Sequence, residues 1–224
     1  WDDTEASWTR DALTGLECYV GLDLSSVNDL TAMAALFPPQ AGCEKWRFFI
    51  DAFIPEENMP EREARDHVPF AEWVRNRYVK ATPGDCIDYA YIARDLENKM
   101  RRFNVKYICA DPWRIEALAT HMQTEIRDDK IIKIPQTIEG MSPAMKEIER
   151  MMHAGMIEHE KNPCGRWTFG NVIVAVDGNE NLKPHKGRSI DRIDPVVALI
   201  DAMAAAIRLE KSQSVYESRG IREL

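Results

Sequence analysis

The 224-residue chain lacks any apolar run near the roughly 18 residues that a membrane span requires, and its first residues, Trp1-Asp2-Asp3-Thr4-Glu5, are too acidic and polar for a secretion signal. Cysteine is sparse and unpatterned. The five thiols (Cys18, Cys43, Cys86, Cys109 and Cys164) are an odd number with no C-x-x-C spacing, which argues against a disulfide framework and predicts reduced, mostly buried side chains in a cytosolic compartment. His153 and His159 stand six apart without a cysteine pair, so the pattern gives no zinc site. Positive charge is in deficit: 29 basic against 37 acidic residues give a net charge of −8, which argues against coating nucleic acid by bulk electrostatics. There is no internal repeat and no low-complexity tract. The chain opens on Trp1 rather than Met, and it reads as a piece of a longer protein.

What is present suits one sizeable α/β core. Hydrophobic residues make up 45% of the chain, and strand-like runs alternate with helix-like ones. Residues 1–16 have little periodicity and read as a linker or packing arm. Strands are expected at about 18–24, at 30–37 (closed by Pro38-Pro39) and at 46–54 (closed by Pro55). Their short connections predict an antiparallel meander. Residues 60–78 read as one amphipathic helix and 88–103 as another. Val105–Ala110 is a buried strand. A helix over 114–127 and a short strand over 130–134 follow. Ser142 with Pro143 reads as the start of a helix running to Gly155. Residues 167–176 and 181–184 flank Asp177-Gly178-Asn179 as a hairpin. From Asp194-Pro195, Val196, Leu199, Ile200, Met203 and Ile207 fall on one helical face. The residues beyond 210 are polar and charged, and fraying is expected there.

Three acids stand at structural transitions. Asp23 lies in a strand whose neighbours, Tyr19, Val20, Leu22 and Leu24, are apolar; a buried carboxylate is costly unless paired, hydrogen-bonded or bound to metal. Asp111 directly follows the buried strand, where open α/β sheets place ligands. Asp194 opens the last helix. Each has an ordinary reading too: a side chain on a solvated face, a turn opener before Pro112, and a helix cap before Pro195. Together, carboxylates from separate elements converging on one end of a sheet would make an oxygen-rich site for Mg²⁺ or Mn²⁺. Two such ions can activate water and stabilise the leaving oxygen of a phosphodiester. Asp29 and Asp191 are further acids that could join the site. Acidity is concentrated early (Glu56, Glu57, Glu61, Glu63, Asp66), whereas residues 183–192 carry Lys183, Lys186, Arg188 and Arg192 against only Asp191. That basic stretch is either a solvated loop or a clamp on a phosphate backbone, with Lys183, Lys186 and Arg188 as its contacts.

Gly21-Leu22-Asp23-Leu24-Ser25 with Asp29-Leu30-Thr31-Ala32, then Ala110-Asp111-Pro112-Trp113-Arg114, resemble the nuclease domain of the large terminase subunit of tailed double-stranded DNA phages. So do Asn162-Pro163, Arg166-Trp167, Gly170-Asn171-Val172, Gly178-Asn179, Lys183-Pro184, Arg192-Ile193-Asp194 and Val197-Ala198-Leu199-Ile200. The resemblance covers about 18–203. It implies a ribonuclease H-like fold: a mixed sheet, first three strands antiparallel and later ones parallel, with helices on both faces. It also implies that acids placed like Asp23, Asp111 and Asp194 hold two divalent ions and cut concatemeric DNA during packaging into the procapsid, in the host cytoplasm. The partners it implies are double-stranded DNA, the terminase ATPase domain, the small terminase subunit and the portal protein. Pro195 departs from the glycine usual after the third acid. No G-x-x-x-x-G-K-[ST] occurs, so the motor's nucleotide site is not in this sequence. The expected organisation is therefore an arm from a missing ATPase domain (1–16), the nuclease domain (17–210) and a polar tail (211–224).

Two other classes compete. An actin- or sugar-kinase-like ATPase also begins with a G-x-D strand, but the turn Ser25-Ser26-Val27-Asn28 lacks the glycine that lets backbone amides wrap a phosphate. A non-catalytic docking module of the packaging machine is the other.

Overall fold

A computed structural model describes residues 1–24, 30–124, 126–185, 189 and 192–218. The strands are β1 (Glu17–Asp23), β2 (Thr31–Phe37), β3 (Trp46–Pro55), β4 (Val79–Thr82), β5 (Asn104–Ala110), β6 (Ile131–Lys133), β7 (Ile157–His159), β8 (Val174–Val176) and β9 (Leu182–Pro184). The helices are α1 (Met59–Asp66), α2 (Phe70–Arg75), α3 (Tyr89–Arg102), α4 (Pro112–Ala119), α5 (Ile138–His153), α6 (Pro163–Gly170) and α7 (Asp194–Ser218).

Among the described residues the main sheet runs β4-β3-β2-β1-β5-β6, with β7 also pairing β3. β1–β2 and β2–β3 are antiparallel, and β1–β5, β5–β6, β3–β4 and β3–β7 are parallel. This is the expected mixed sheet, a meander extended by parallel strands that arrive over helical crossovers. Strands buried on both faces read as near-continuous apolar runs, and every residue of β2 is buried.

The pleat sends alternate residues to two cores. Val20, Leu22, Met33, Ala35 and Phe37 pack with Ile92 and Leu96 of α3 and Ile115 and Leu118 of α4. Ala32, Ala34, Leu36, Phe48 and Ile50 pack instead against α5 and α7. The α7 face is lined with alanine on both partners, and this lets helix and sheet approach closely. Residues Val196–Ala206 of α7 are buried, apolar ones and Asp201 alike, so the apolar stripe expected on one face is in fact a helix enclosed nearly all round over this stretch.

The arm 1–16 is packed. Trp1 stacks on His159 with ring centroids 3.6 Å apart, and Leu13 is buried in the α3/α4-side core.

Several expected elements are corrected. The single helix over 60–78 is two, α1 and α2, broken where His67 takes a left-handed conformation (φ 54°) ahead of Pro69, whose ring disfavours helix at the residue before it. The helix expected over 114–127 begins at Pro112 and ends at Ala119. Ser142 does not start α5: Thr137 does, accepting from the Gly140 N–H at 3.2 Å, and Pro143 lies inside the helix. The Ser142 hydroxyl instead accepts from the Leu182 N–H at 3.0 Å, docking β9. Of the strand expected over 167–176, the first part, 167–170, is the end of α6, capped by Asn162 accepting from the Gly165 N–H, and only Val174–Val176 pairs as β8. The hairpin turn at Asp177-Gly178-Asn179 is as expected, with Val176 opposite Leu182. α7 continues to Ser218, beyond the expected fraying point.

Candidate active site

Register places two of the three acids side by side. In the parallel β1–β5 pair Gly21 opposes Cys109 and Leu22 opposes Ala110. Asp23 and Asp111 therefore occupy the next row, at the carboxyl end of both strands. Asp23 shares the phase of Tyr19 and Gly21, the face covered by α7, and Asp111 shares the phase of Cys109 on that face. Asp23 is buried and Asp111 half-buried.

The third acid arrives on α7 because of Gly21. A Cβ there would lie 1.9 Å from the Ala198 carbonyl oxygen and 2.8 Å from the Ala202 nitrogen, so α7 crosses β1 in direct backbone contact. From that crossing, Asp194 is four residues back along the helix, about 6 Å, and Asp23 two residues on along the strand, about 6.6 Å. The negative charge of Asp194 acts on the buried thiol of Cys164, and Cys164 packs with Leu30 and Ala52. Ala52 pairs with Ala32, which pairs with Asp23. Asp194 is buried in the first turn of α7 rather than capping it, since the Ile193 carbonyl accepts from the Val196 and Val197 N–H groups at 2.9 and 3.1 Å. Asp111 does take the cap position of α4: its carbonyl accepts from Arg114 and Ile115 at 3.2 and 3.3 Å.

Asp23 and Asp111 thus lie next to each other at one end of the sheet, Asp194 is buried in the first turn of the helix that crosses β1 at Gly21, and aspartate oxygens are hard donors of the kind Mg²⁺ and Mn²⁺ take. They are not drawn into a closed cage: among the described residues no three His, Cys, Asp or Glu side chains are grouped so as to hold a metal ion.

Two positioning residues escaped the sequence reading. Asp66, buried at the end of α1, binds Arg65 through Nε at 2.5 Å and Nη2 at 2.8 Å and lies 3.6 Å from Arg192 Nε. Asn171 Nδ2 donates to the Arg192 carbonyl at 3.2 Å. Both tie down the residue two before Asp194. Asn171 belongs to a motif of the resemblance, whereas Asp66 sits in an acidic run that looks solvated, and nothing in its local sequence marks it.

Beside the rim, a cavity of about 360 Å³ is lined by Gln136, Met141, Ala175, Lys183, His185 and Val197 among others. Lys183 on β9 therefore opens onto the space next to the start of α7. Lys186, Arg188, Asp29 and Asp191 lie outside the described residues.

Comparison with known proteins gives a consistent result. The profile of the family "Terminase large subunit, endonuclease domain" matches residues 1–210. The chain is 29% identical over 188 residues to the terminase large subunit of Enterobacteria phage HK97, covering 84% of this chain and 37% of that protein. It is also 29% identical over 241 aligned positions to protein YmfN of Escherichia coli K12, covering 100% of this chain and 51% of that one. It thus spans half or less of the phage protein and about half of the bacterial one. Among solved structures, the HK97 large terminase superposes with a TM-score of 0.77 at 26% identity, over 88% of this chain and 42% of that one. The large terminase nuclease of thermophilic phage G20c, solved with bound magnesium, matches in fold at a TM-score of 0.52 and 11% identity, over 87% of this chain and 93% of that one.

Proposed function

Because the chain belongs to the terminase large subunit endonuclease domain family, we propose that it is a divalent-metal-dependent DNA endonuclease that cuts concatemeric double-stranded DNA during phage genome packaging. What supports this reading is Asp23 and Asp111 following one row of adjacent parallel strands, with Asp194 buried on the helix that crosses β1 at Gly21.

Asp23, Asp111 and Asp194 would hold two Mg²⁺ or Mn²⁺ ions, which when bound polarise the phosphodiester and lower the pKa of an attacking water. The chain's own residues do the rest. β1 and β5 present two carboxylates from rigid backbone, and α7 presents the third from within the core. Lys183, with Lys186 and Arg188, supplies phosphate contacts that position the duplex without reading its sequence. The ATPase domain, the small terminase subunit and the portal are the proposed partners, and the procapsid in the host cytoplasm is the proposed place of action.

Plasmid incubated with Mn²⁺ should be cut and plasmid in EDTA should not. Asp23→Asn, Asp111→Asn and Asp194→Asn should each reduce cleavage by about 10³-fold, corresponding to several kcal/mol of lost transition-state stabilisation. Each should also weaken Mn²⁺ binding in calorimetry while leaving the melting transition cooperative. A fully active Asp111→Asn protein would remove that residue from the site. ATP hydrolysis without metal-dependent cleavage would favour the kinase-like class instead.

A further inference from the structure

The cavity of about 360 Å³ near the start of α7 is built differently from the acids beside it. Met141, Ala175 and Val197 give it an apolar wall, and Gln136, Lys183 and His185 share the rest of its lining. These three polar residues are half-buried, and among the described residues none of their side chains has a hydrogen-bond or ion-pair partner. No carboxylate of the described residues lines the cavity. An ammonium drawn partly out of water beside an amide and an imidazole, with no counter-ion, suits an anion brought from outside. An apolar pocket with a few convergent polar groups is the usual form of a ligand site.

Local structure fixes these groups in advance. Lys183 lies opposite Ala175 in the antiparallel β8–β9 pair. His185, two residues on and in the same phase, donates its backbone N–H to the Ile173 carbonyl at 2.8 Å. The Ser142 hydroxyl accepts from the Leu182 N–H at 3.0 Å and fastens the same strand to α5. Gln136 arrives from another direction, after β6 and directly before Thr137, the cap of α5.

The cavity adjoins the acids on the face that Asp23 and Asp111 share by phase. Ala110 pairs with Lys133, so Asp111 and Ile134 follow in the next row, and the Ile134 N–H donates to the Ala110 carbonyl at 3.1 Å. Ile134, Met141 and Val197 all lie in the core on the α5/α7 side of the sheet. Val197 is one helical turn past Asp194, and Gln136 two residues past Ile134. One interstrand step and two residues of chain put Gln136 within about 12 Å of Asp111. That is a span of about three or four nucleotides at 3.4 Å each.

We propose that this cavity receives one nucleotide of the cut strand, within about four of the scissile bond. Lys183, His185 and Gln136 take its phosphate, and the wall of Met141, Ala175 and Val197 takes the carbon face of its sugar. Gln136 and His185 thereby become substrate-binding residues beside Lys183, and the contact holds the strand without reading its bases. The proposal rests on the nuclease reading and adds to it where the strand is gripped.

The test uses the chain with a fluorescein-labelled 30-base-pair duplex of arbitrary sequence, in EDTA so that no cutting intervenes, with anisotropy read across a salt series. Lys183→Gln should weaken binding about tenfold and flatten the dependence of log K on log salt by about 1, one phosphate contact's worth. Gln136→Ala with His185→Ala should weaken it by a similar factor. All three substitutions together should cost about thirtyfold rather than the roughly hundredfold of independent contacts, because the groups share one phosphate. Ala175→Leu, which fills the cavity and removes no polar group, should weaken binding about as much as the double variant. Unchanged affinity in the double variant or in Ala175→Leu would overturn the proposal, as would a fully multiplicative loss in the triple variant. Mn²⁺ binding in calorimetry should stay as in the wild type; if the double variant loses it, these residues serve the metal centre and the subsite falls. Cleavage with Mn²⁺ is scored separately, so a chain whose duplex binding responds as expected but that cuts nothing would refute the nuclease reading and leave the subsite standing.

Discussion

Cys18, Cys109 and Cys164 are fully buried, and burial pushes each thiol up, Cys18 to about 12 even though Lys99 draws it back. Asp201 adds to the effect at Cys109 and Asp194 at Cys164. Cys43 is also buried and raised, whereas Cys86 is exposed. Thiolate is the reactive form. A thiol reagent at pH 8 should therefore titrate one equivalent, at Cys86, in the native protein and all five after denaturation; early reaction of a second thiol would contradict the burial. At this scale the sequence was most legible where chemistry is out of place. An aspartate in the run Val20-Gly21-Leu22-Asp23-Leu24 stands out because its neighbours are apolar. Asp66 does not, because its role depends on Arg192, which lies more than a hundred residues away in sequence.

Between elements, the contact of β1 with α7 is the most sensitive. Gly21→Ala would place a methyl group where the Ala198 carbonyl already is. Backbone on both sides leaves no flexible side chain to yield, so overpacking should cost about 1–3 kcal/mol or more. The urea midpoint should fall accordingly. Metal-dependent cleavage should fall further than stability alone explains, because α7 must lift away and carry Asp194 with it. Wild-type activity in a folded Gly21→Ala protein would show that the crossing does not set the site. Long buried strands and the well-capped α3, with Asp88 accepting from the Ala90 N–H at 2.8 Å, could be read in advance. β4 and β7 could not. They span four and three residues and owe their existence to the edges of β3, a tertiary opportunity that local pattern does not encode. Trp167 and Phe169 are strand-favouring types, yet the Asn162 cap and docking against Trp1 hold them helical at the end of α6.

Across the molecule, one buried charge network joins the arm, the sheet and α3. Asp51 takes Arg10 at 2.9 Å, Lys80 at 3.1 Å and Lys99 at 2.5 Å, and Arg10 also pairs with Glu160. Burial alone would raise the Asp51 carboxyl, but Lys99, Arg10 and Lys80 outweigh it and hold the group well below the usual 3.8. Its folded pKa therefore lies under the unfolded one. The stabilisation is fully present above about pH 4 and declines as pH falls toward the folded value. Asp51→Asn should cost about 3–5 kcal/mol at pH 7 by removing the buried carboxylate that Arg10, Lys80 and Lys99 share, leaving Lys99 with Asp95 alone. Urea titrations at pH 7 and pH 3 should show the gap to wild type narrowing at the lower pH; a constant gap would place the network's contribution elsewhere than in this ionisation. The α/β class was legible from the alternation of runs. The order of strands followed from resemblance, since periodicity carries no information about which strand neighbours which.

The enclosure of α7 has a consequence for how its first carboxylate behaves. An acid mounted on a surface loop can be repositioned by local fluctuation, at little expense to the rest of the chain. Asp194 belongs to a spine whose loosening is the loosening of both sheet face and helical layer, so it inherits the stiffness of the interior. If Asp194 serves the proposed centre, a hinge within the helix is a poor way to reposition it.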